Sequence, residues 1–206
     1  MKLLSNLPYI NHTKPTNNLE NDVITLLKAN NKPETVTHSI NVSKTCIKLA
    51  KRFNLDEEIA RYSGILHDVS AFIRPADMLD YAERSDWYID ESERKYNFIL
   101  HQRISEIIAR EYFGVTDEKI LSAIACHSTL KANASEYDML LFLSDKISWD
   151  QMGEPPFLGV LKKALETSLA HASLEYINFV LDNNMILMPH KWLTEAKAWL
   201  ENTNQR

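Results

Sequence analysis

The chain has 206 residues, about one domain of ordinary size with room for a substantial core. Gly is 4 and Pro is 7, together about 5% of the chain where average usage is about 12%. So few chain-reversing residues, beside 45% hydrophobic content, exclude a sandwich, a barrel or a glycine-rich nucleotide-binding α/β fold and predict an all-α protein. A net charge of -5 with no block of like charges excludes a general nucleic-acid-binding surface, so an anionic ligand would need local help.

Residues 1–18 are polar, with prolines and several asparagines, and are expected to form an irregular arm. A short helix is predicted over Asn18–Leu27, interrupted by Asn30-Asn31-Lys32-Pro33. A longer one should span Glu34–Phe53, where Val42, Cys46, Leu49, Ala50 and Phe53 recur at helical spacing and His38 lies on the same inward stripe. Asp56 is placed to cap the next helix, in which Ala60, Gly64 and His67 share a face and Gly64 permits close approach of a backbone or ligand. Pro75–Glu83 reads as a short helix, and Arg84–Asn97 as a charged, aromatic loop with one helical turn. Phe98–Tyr112 is predicted helical, with His101, Ile104 or Ser105, and Ile108 on one side and Gly114 as its end.

Thr116-Asp117-Glu118 then starts a helix in which Ile120, Ile124 and His127 share a face. Ser135 can cap a helix to about Trp149, in which Asp145 follows the apolar run Met139-Leu140-Leu141-Phe142-Leu143, a costly place for an unpaired charge. After Gly153-Glu154-Pro155-Pro156, Phe157–Asp182 is predicted as the longest helix, and a final one runs over about Pro189–Asn202. With no internal repeat, the expectation is a single domain over 1–206, its core within 33–150 and a C-terminal helical extension over 157–202 that packs on the core or on a second copy as a homodimer. Cys46 and Cys126 match no paired metal spacing and are expected to be buried free thiols. The longest apolar run is far too short to span a membrane and the N-terminus lacks a signal-peptide core, so no membrane partner and a cytoplasmic location are expected.

Of the seven histidines, His38, His67, His101 and His127 fall on inward faces of different predicted helices, joined by Asp68 and Asp145. A single inward histidine is more often a satisfied core residue than a ligand, and a single inward Asp is more often a cap or ion-pair partner. The joint occurrence is another matter, because imidazole and carboxylate together suit Fe, Mn, Zn or Co, and a metal would compensate two buried carboxylates. Lys146, Lys131 and Arg74 follow these segments directly and could border a site as phosphate contacts. Trp87, Tyr88 and Tyr96 would stack on a base or pin their loop to the core; His12 carries no assigned role, and His171 and His190 are read as non-ligands.

The ordered set His38, His67-Asp68 within Gly64-Ile65-Leu66-His67-Asp68, and Asp145 resembles the HD-domain metal-dependent phosphohydrolases over about Thr37–Trp149, and the added His101 and His127 match the branch with two metals. The stretches THSINVSKT, SGILHDVS, EYFGV, AIACHSTLKANAS and MLLFLSDKI most resemble the YqeK-like branch, associated with symmetrical hydrolysis of diadenosine tetraphosphate to two ADP. The chain departs from that pattern at Ala71, where the branch usually has Lys, and at Leu130, where it usually has Gly. The resemblance implies a nucleotide phosphohydrolase with two metal ions, iron first and Mn, Co, Zn or Mg as the others. It also implies that His38, His67, Asp68 and Asp145 hold one ion, that Asp68 bridges to a second held by His101 and His127, and that Asp68 and His67 are catalytic. A diiron HD-type oxygenase and a non-catalytic, metal-stabilised nucleotide sensor or interaction module are the competing expectations.

Overall fold

Side chains that can cap helices set most of the helix starts. In the computed structural model, which describes residues 3–16 and 18–203, Asp56 accepts hydrogen bonds from the Glu58 and Ile59 amides, Asp117 from that of Lys119, and Ser135 from that of Asp138. They open α3 (Glu57–Leu66), α7 (Glu118–Cys126) and α8 (Glu136–Ile147). The other helices are α1 (Leu19–Ala29), α2 (Pro33–Phe53), α4 (Pro75–Arg84), α5 (Glu91–Lys95), α6 (His101–Glu111), α9 (Leu158–Ala164), α10 (Leu169–Asp182) and α11 (Lys191–Thr203), and there is no strand among the described residues. The fold is therefore all-α, as the scarcity of glycine and proline implies.

Close approach of α2 and α3 is the central packing event. A Cβ on Gly64 would lie 2.6 Å from Ser43 Cα and 2.8 Å from Ser43 N, so only glycine lets the two backbones meet there. Around this pair, Val42, Cys46, Ile65, Leu66, Ile104, Ile124 and the apolar run of α8 join one continuous buried cluster, which also takes in Leu161, Ile177 and Leu200 from the C-terminal helices. Both cysteines are free and buried. No helix among the described residues is long and apolar enough to cross a membrane.

Three local expectations need correction or refinement. Phe157–Asp182 is two helices, because Ser168 leaves the helical path at φ -167° and its hydroxyl caps α10 through the His171 amide. The 21-residue α2 is consequently the longest helix among the described residues. Phe98 belongs to a 3-10 turn over Asn97–Leu100, and the α-helix starts only at His101. The N-terminal arm is irregular apart from a 3-10 turn at Leu4–Asn6, yet it is anchored: Leu3, Leu4 and Ile10 are buried, and the Thr13 amide donates to Tyr112 Oη. The parts of the arm at Met1, Lys2 and Asn17 lie outside the described residues.

Candidate metal centre

His67 and Asp68 sit where α3, which packs against α2, α6, α7 and α8, gives way to a turn. The turn is clipped to α6 by Ser70, whose hydroxyl donates to the His101 carbonyl and accepts from Ser105. A second clip joins α6 to the turn after α7: Gln102 Oε1 accepts from the Ser128 amide and its Nε2 donates to Thr129 Oγ1. Leu130 follows in that turn with φ +57°, the region that favours glycine, and its side chain is fully buried. Packing therefore holds leucine at a position where the resembling branch usually has glycine.

These supports bring all six expected ligands together. His38 Nε2 lies 3.1 Å from Asp145 Oδ1 and 3.2 Å from His67 Nε2, while His101 Nε2 lies 2.9 Å from His127 Nε2. Asp68 stands between the two halves, with Oδ1 3.2 Å from His101 Nε2 and 3.6 Å from His127 Nε2, and Oδ2 3.5 Å from His67 Nε2. Two subsets, His38–His67–Asp145 and His67–Asp68–His127, each place one ligand atom per residue within 4.8 Å of one another.

Hydrogen-bond roles make this arrangement informative. His67, His101 and His127 each direct Nδ1 at a backbone carbonyl, of Gly64, Phe98 and Ile124 respectively. A carbonyl only accepts, so each Nδ1 carries the hydrogen and each neutral ring turns an Nε2 lone pair inward. The inward atoms are then all acceptors, three imidazole nitrogens facing carboxylate oxygens, and they repel unless protons or cations enter. This is the donor set and ring orientation of an imidazole–carboxylate metal site. The residues present thus fit divalent metal ions.

Without an ion, the same demand is expressed as proton affinity. Burial would lower His38 and His101, but Asp145 beside the first and Asp68 beside the second raise both above the ordinary imidazole value. His127 goes the other way, to about 4, driven by burial and by the neighbouring His101 and His67. Burial would raise the two carboxyls, yet both are held low, Asp68 by the surrounding histidines and Asp145 by Lys146 and His38.

The three expected phosphate contacts separate. Lys146 Nζ lies 2.6 Å from Asp145 Oδ2, at the edge of the cluster. Lys131 is bound to Ser122 Oγ at 2.6 Å with Asp138 at 3.6 Å, and the exposed Arg74 is paired with Asp77 at 2.7 Å and stacked on Tyr9. Trp87 is half-buried under Arg103, whereas Tyr88 is exposed. His171 sits in the first turn of α10, and His190 is buried with Nδ1 accepting from the Trp192 amide. Two neighbours escaped the sequence reading. Asp150 Oδ2 lies 3.8 Å from His38 Nδ1, and Tyr176, from α10, is close enough to feel Lys146 and Asp145. Neither carried a signal beyond its residue type, because turns and a break in the C-terminal helices deliver them.

The sequence profile of the HD domain matches residues 35–150. The chain is 43% identical over 140 residues to the uncharacterized protein in pepC 5'region of Lactococcus lactis subsp. cremoris, covering 68% of this chain and 71% of that one. It is 28% identical over 172 residues to the symmetrical bis(5'-nucleosyl)-tetraphosphatase of Halalkalibacterium halodurans, covering 80% and 88%, and 25% identical over 164 residues to that of Bacillus subtilis, covering 76% and 85%. In fold it is similar to a predicted HD superfamily hydrolase involved in NAD metabolism from Clostridium acetobutylicum, with a TM-score of 0.79 at 24% identity over 93% of this chain and 100% of that one. Since the profile spans more than half of the sequence and contains all six clustered side chains, the chain belongs to the HD domain family.

Proposed function

We propose that the protein is a metal-dependent phosphohydrolase that cleaves a nucleotide phosphoanhydride, splitting diadenosine tetraphosphate symmetrically into two ADP. The observation that carries this reading is the inward convergence of three Nε2 lone pairs on Asp68, a carboxylate whose two oxygens face different halves of the cluster. The symmetrical tetraphosphatase activity named for two of the relatives supports the choice of substrate. His38, His67 and Asp145 would hold one ion and His101 and His127 the other, with Asp68 shared between them. When bound, such ions act as Lewis acids on phosphoryl oxygens and ready a water for attack, and iron heads the candidates that this donor set accepts.

The chain's own side chains divide the remaining work. Lys146, kept protonated by Asp145 despite its burial, is the cation best placed to hold a phosphate oxygen, because it contacts an expected ligand directly, whereas Lys131 is engaged by Ser122 and Asp138 and Arg74 by Asp77. No thiol nucleophile is on offer: burial pushes the Cys46 thiol up to about 12, and Cys126 is raised as well. In the overall reaction the oxygen of water joins one phosphorus, the central P–O–P bond breaks, and the departing phosphate leaves as the second ADP.

Elemental analysis joined to a turnover screen tests this. Iron-, manganese- or cobalt-loaded protein should hold two ions per chain and convert diadenosine tetraphosphate to ADP alone. Protein that holds two ions yet cleaves no member of a panel of dinucleoside polyphosphates and mononucleotides overturns the reading.

A further inference from the structure

A cavity of about 360 Å³ opens beside the metal centre, within the usual range for small-molecule sites. Three separate parts of the chain form it: the 3-10 turn that leads into His101, the turn that follows His127, and the α10–α11 connection. Tyr96 and Phe98 form an aromatic pair in its lining, to which the α10–α11 connection adds Ile186, Leu187 and Met188. Ser128 links cavity and cluster, since it lines the cavity while its Oγ lies 3.3 Å from His101 Nε2. Phe98 is joined to the cluster too, its carbonyl holding His101 Nδ1 at 2.7 Å.

The chain spends apolar surface here without covering it. Phe98 is 58% exposed and Leu187 85% exposed, although both stand within a few residues of buried core. The lining is mostly aromatic and aliphatic, its polar members being Ser128, Thr129 and His190, and it carries no Lys, Arg, Asp or Glu, so it suits a flat ring with polar edges better than a phosphate. A nucleotide has both parts, and the cavity and the cluster are in contact at Ser128.

We propose that this cavity is the nucleobase subsite: the base stacks between the Tyr96–Phe98 pair and the α10–α11 connection while the phosphates lie on the His–Asp cluster. The proposal rests on the nucleotide reading above. It gives the α10–α11 connection, which supplies no expected metal ligand, a share with the Tyr96–Phe98 pair in distinguishing a nucleotide from a bare polyphosphate.

Binding of ADP and of inorganic pyrophosphate to the manganese-loaded full chain, each measured by calorimetry, gives the test. Wild type should bind ADP more tightly than pyrophosphate. Phe98→Ala, at an exposed side chain, should cut that preference roughly tenfold, the size of one lost base–aromatic stack, Leu187→Ser should cut it by less, and both should raise KM for diadenosine tetraphosphate more than they change kcat. An unchanged preference in both variants overturns the subsite, as does a wild type that binds pyrophosphate as well as ADP. A Leu187→Ser change from dimer to monomer with the preference intact also overturns it and assigns the face to a second copy. Failure of the nucleotide reading is seen separately, as absence of turnover, because the binding contrast needs no cleavage.

Discussion

Asp68 is the side chain on which both halves of the cluster depend, because its two oxygens are divided between His67 on one side and His101 and His127 on the other. Asp68→Asn keeps the shape but removes the charge and replaces one oxygen by an NH2 group that cannot ligate. Losing a group that only orients a ligand costs about 10–100-fold in metal affinity or activity, so losing the shared ligand itself should cost at least about a hundredfold in turnover. Metal content should fall below two per chain, and a variant that keeps both ions and wild-type turnover removes Asp68 from the centre. At this scale the sequence was most readable for the clustering of the six His and Asp side chains: an inward His or Asp has few ways to be satisfied, and six of them in helical register narrow the options. It was least readable for surface cations. Arg74 and Lys131 are adjacent to the right segments, yet each has a nearby acid, Asp77 and Asp138, and which acid a flexible cation meets is a matter of tertiary geometry.

Between elements, the α2–α3 contact sets the spacing of His38 from His67. Gly64→Ala would drive a methyl into the Ser43 backbone, so the helices must part. We expect a loss of about 1–3 kcal/mol, as for other overpacked sites, read by urea unfolding, with weaker metal retention because His38 moves away from His67. A stable variant with undiminished metal content would mean that the spacing is set elsewhere. Helix starts were legible because Asp56, Asp117 and Ser135 are local signals that act within one turn. Ser168 is an equally good cap, but it follows Leu161, Ala164 and Leu165, whose helical spacing continues across the break into Leu169 and Ala172. Apolar periodicity masked the stop. Leu3, Leu4 and Ile10 were missed for the converse reason, since three apolar residues without a period declare no partner and are buried only by distant surfaces.

For the whole molecule, metal loading and stability are linked, since ions that bind the assembled cluster bind the unfolded chain poorly. Free metal at 100 times its Kd should add about 2.7 kcal/mol per site, or roughly 5–10 °C in Tm for a chain of this size. The pH dependence follows from the shifts. His38 and His101, raised in the metal-free protein, stabilise it below the ordinary imidazole value of about 6.5, and that contribution disappears as pH rises through their raised values. Asp68 and Asp145, held low, stabilise it above about 3.9 and lose that contribution only in stronger acid. Metal-free protein should therefore draw most from these groups between about pH 4 and 6.5. Manganese should raise Tm more at about pH 7.5 than at about pH 5.5, because protons compete for the same lone pairs. Differential scanning fluorimetry at the two pH values checks this, and a larger shift in acid would show that the imidazoles are not the ligands.

His38 and Asp145 meet across 107 positions of sequence. During synthesis His38, His67 and Asp68 all emerge from the ribosome long before α8 does, so a growing chain carries only an incomplete set of ligands. On the proposed ligand set, metal acquisition would be a late event in the life of this protein. A chain truncated before Asp145 would, on that same set, lack a ligand for the first ion however much metal the cell supplies.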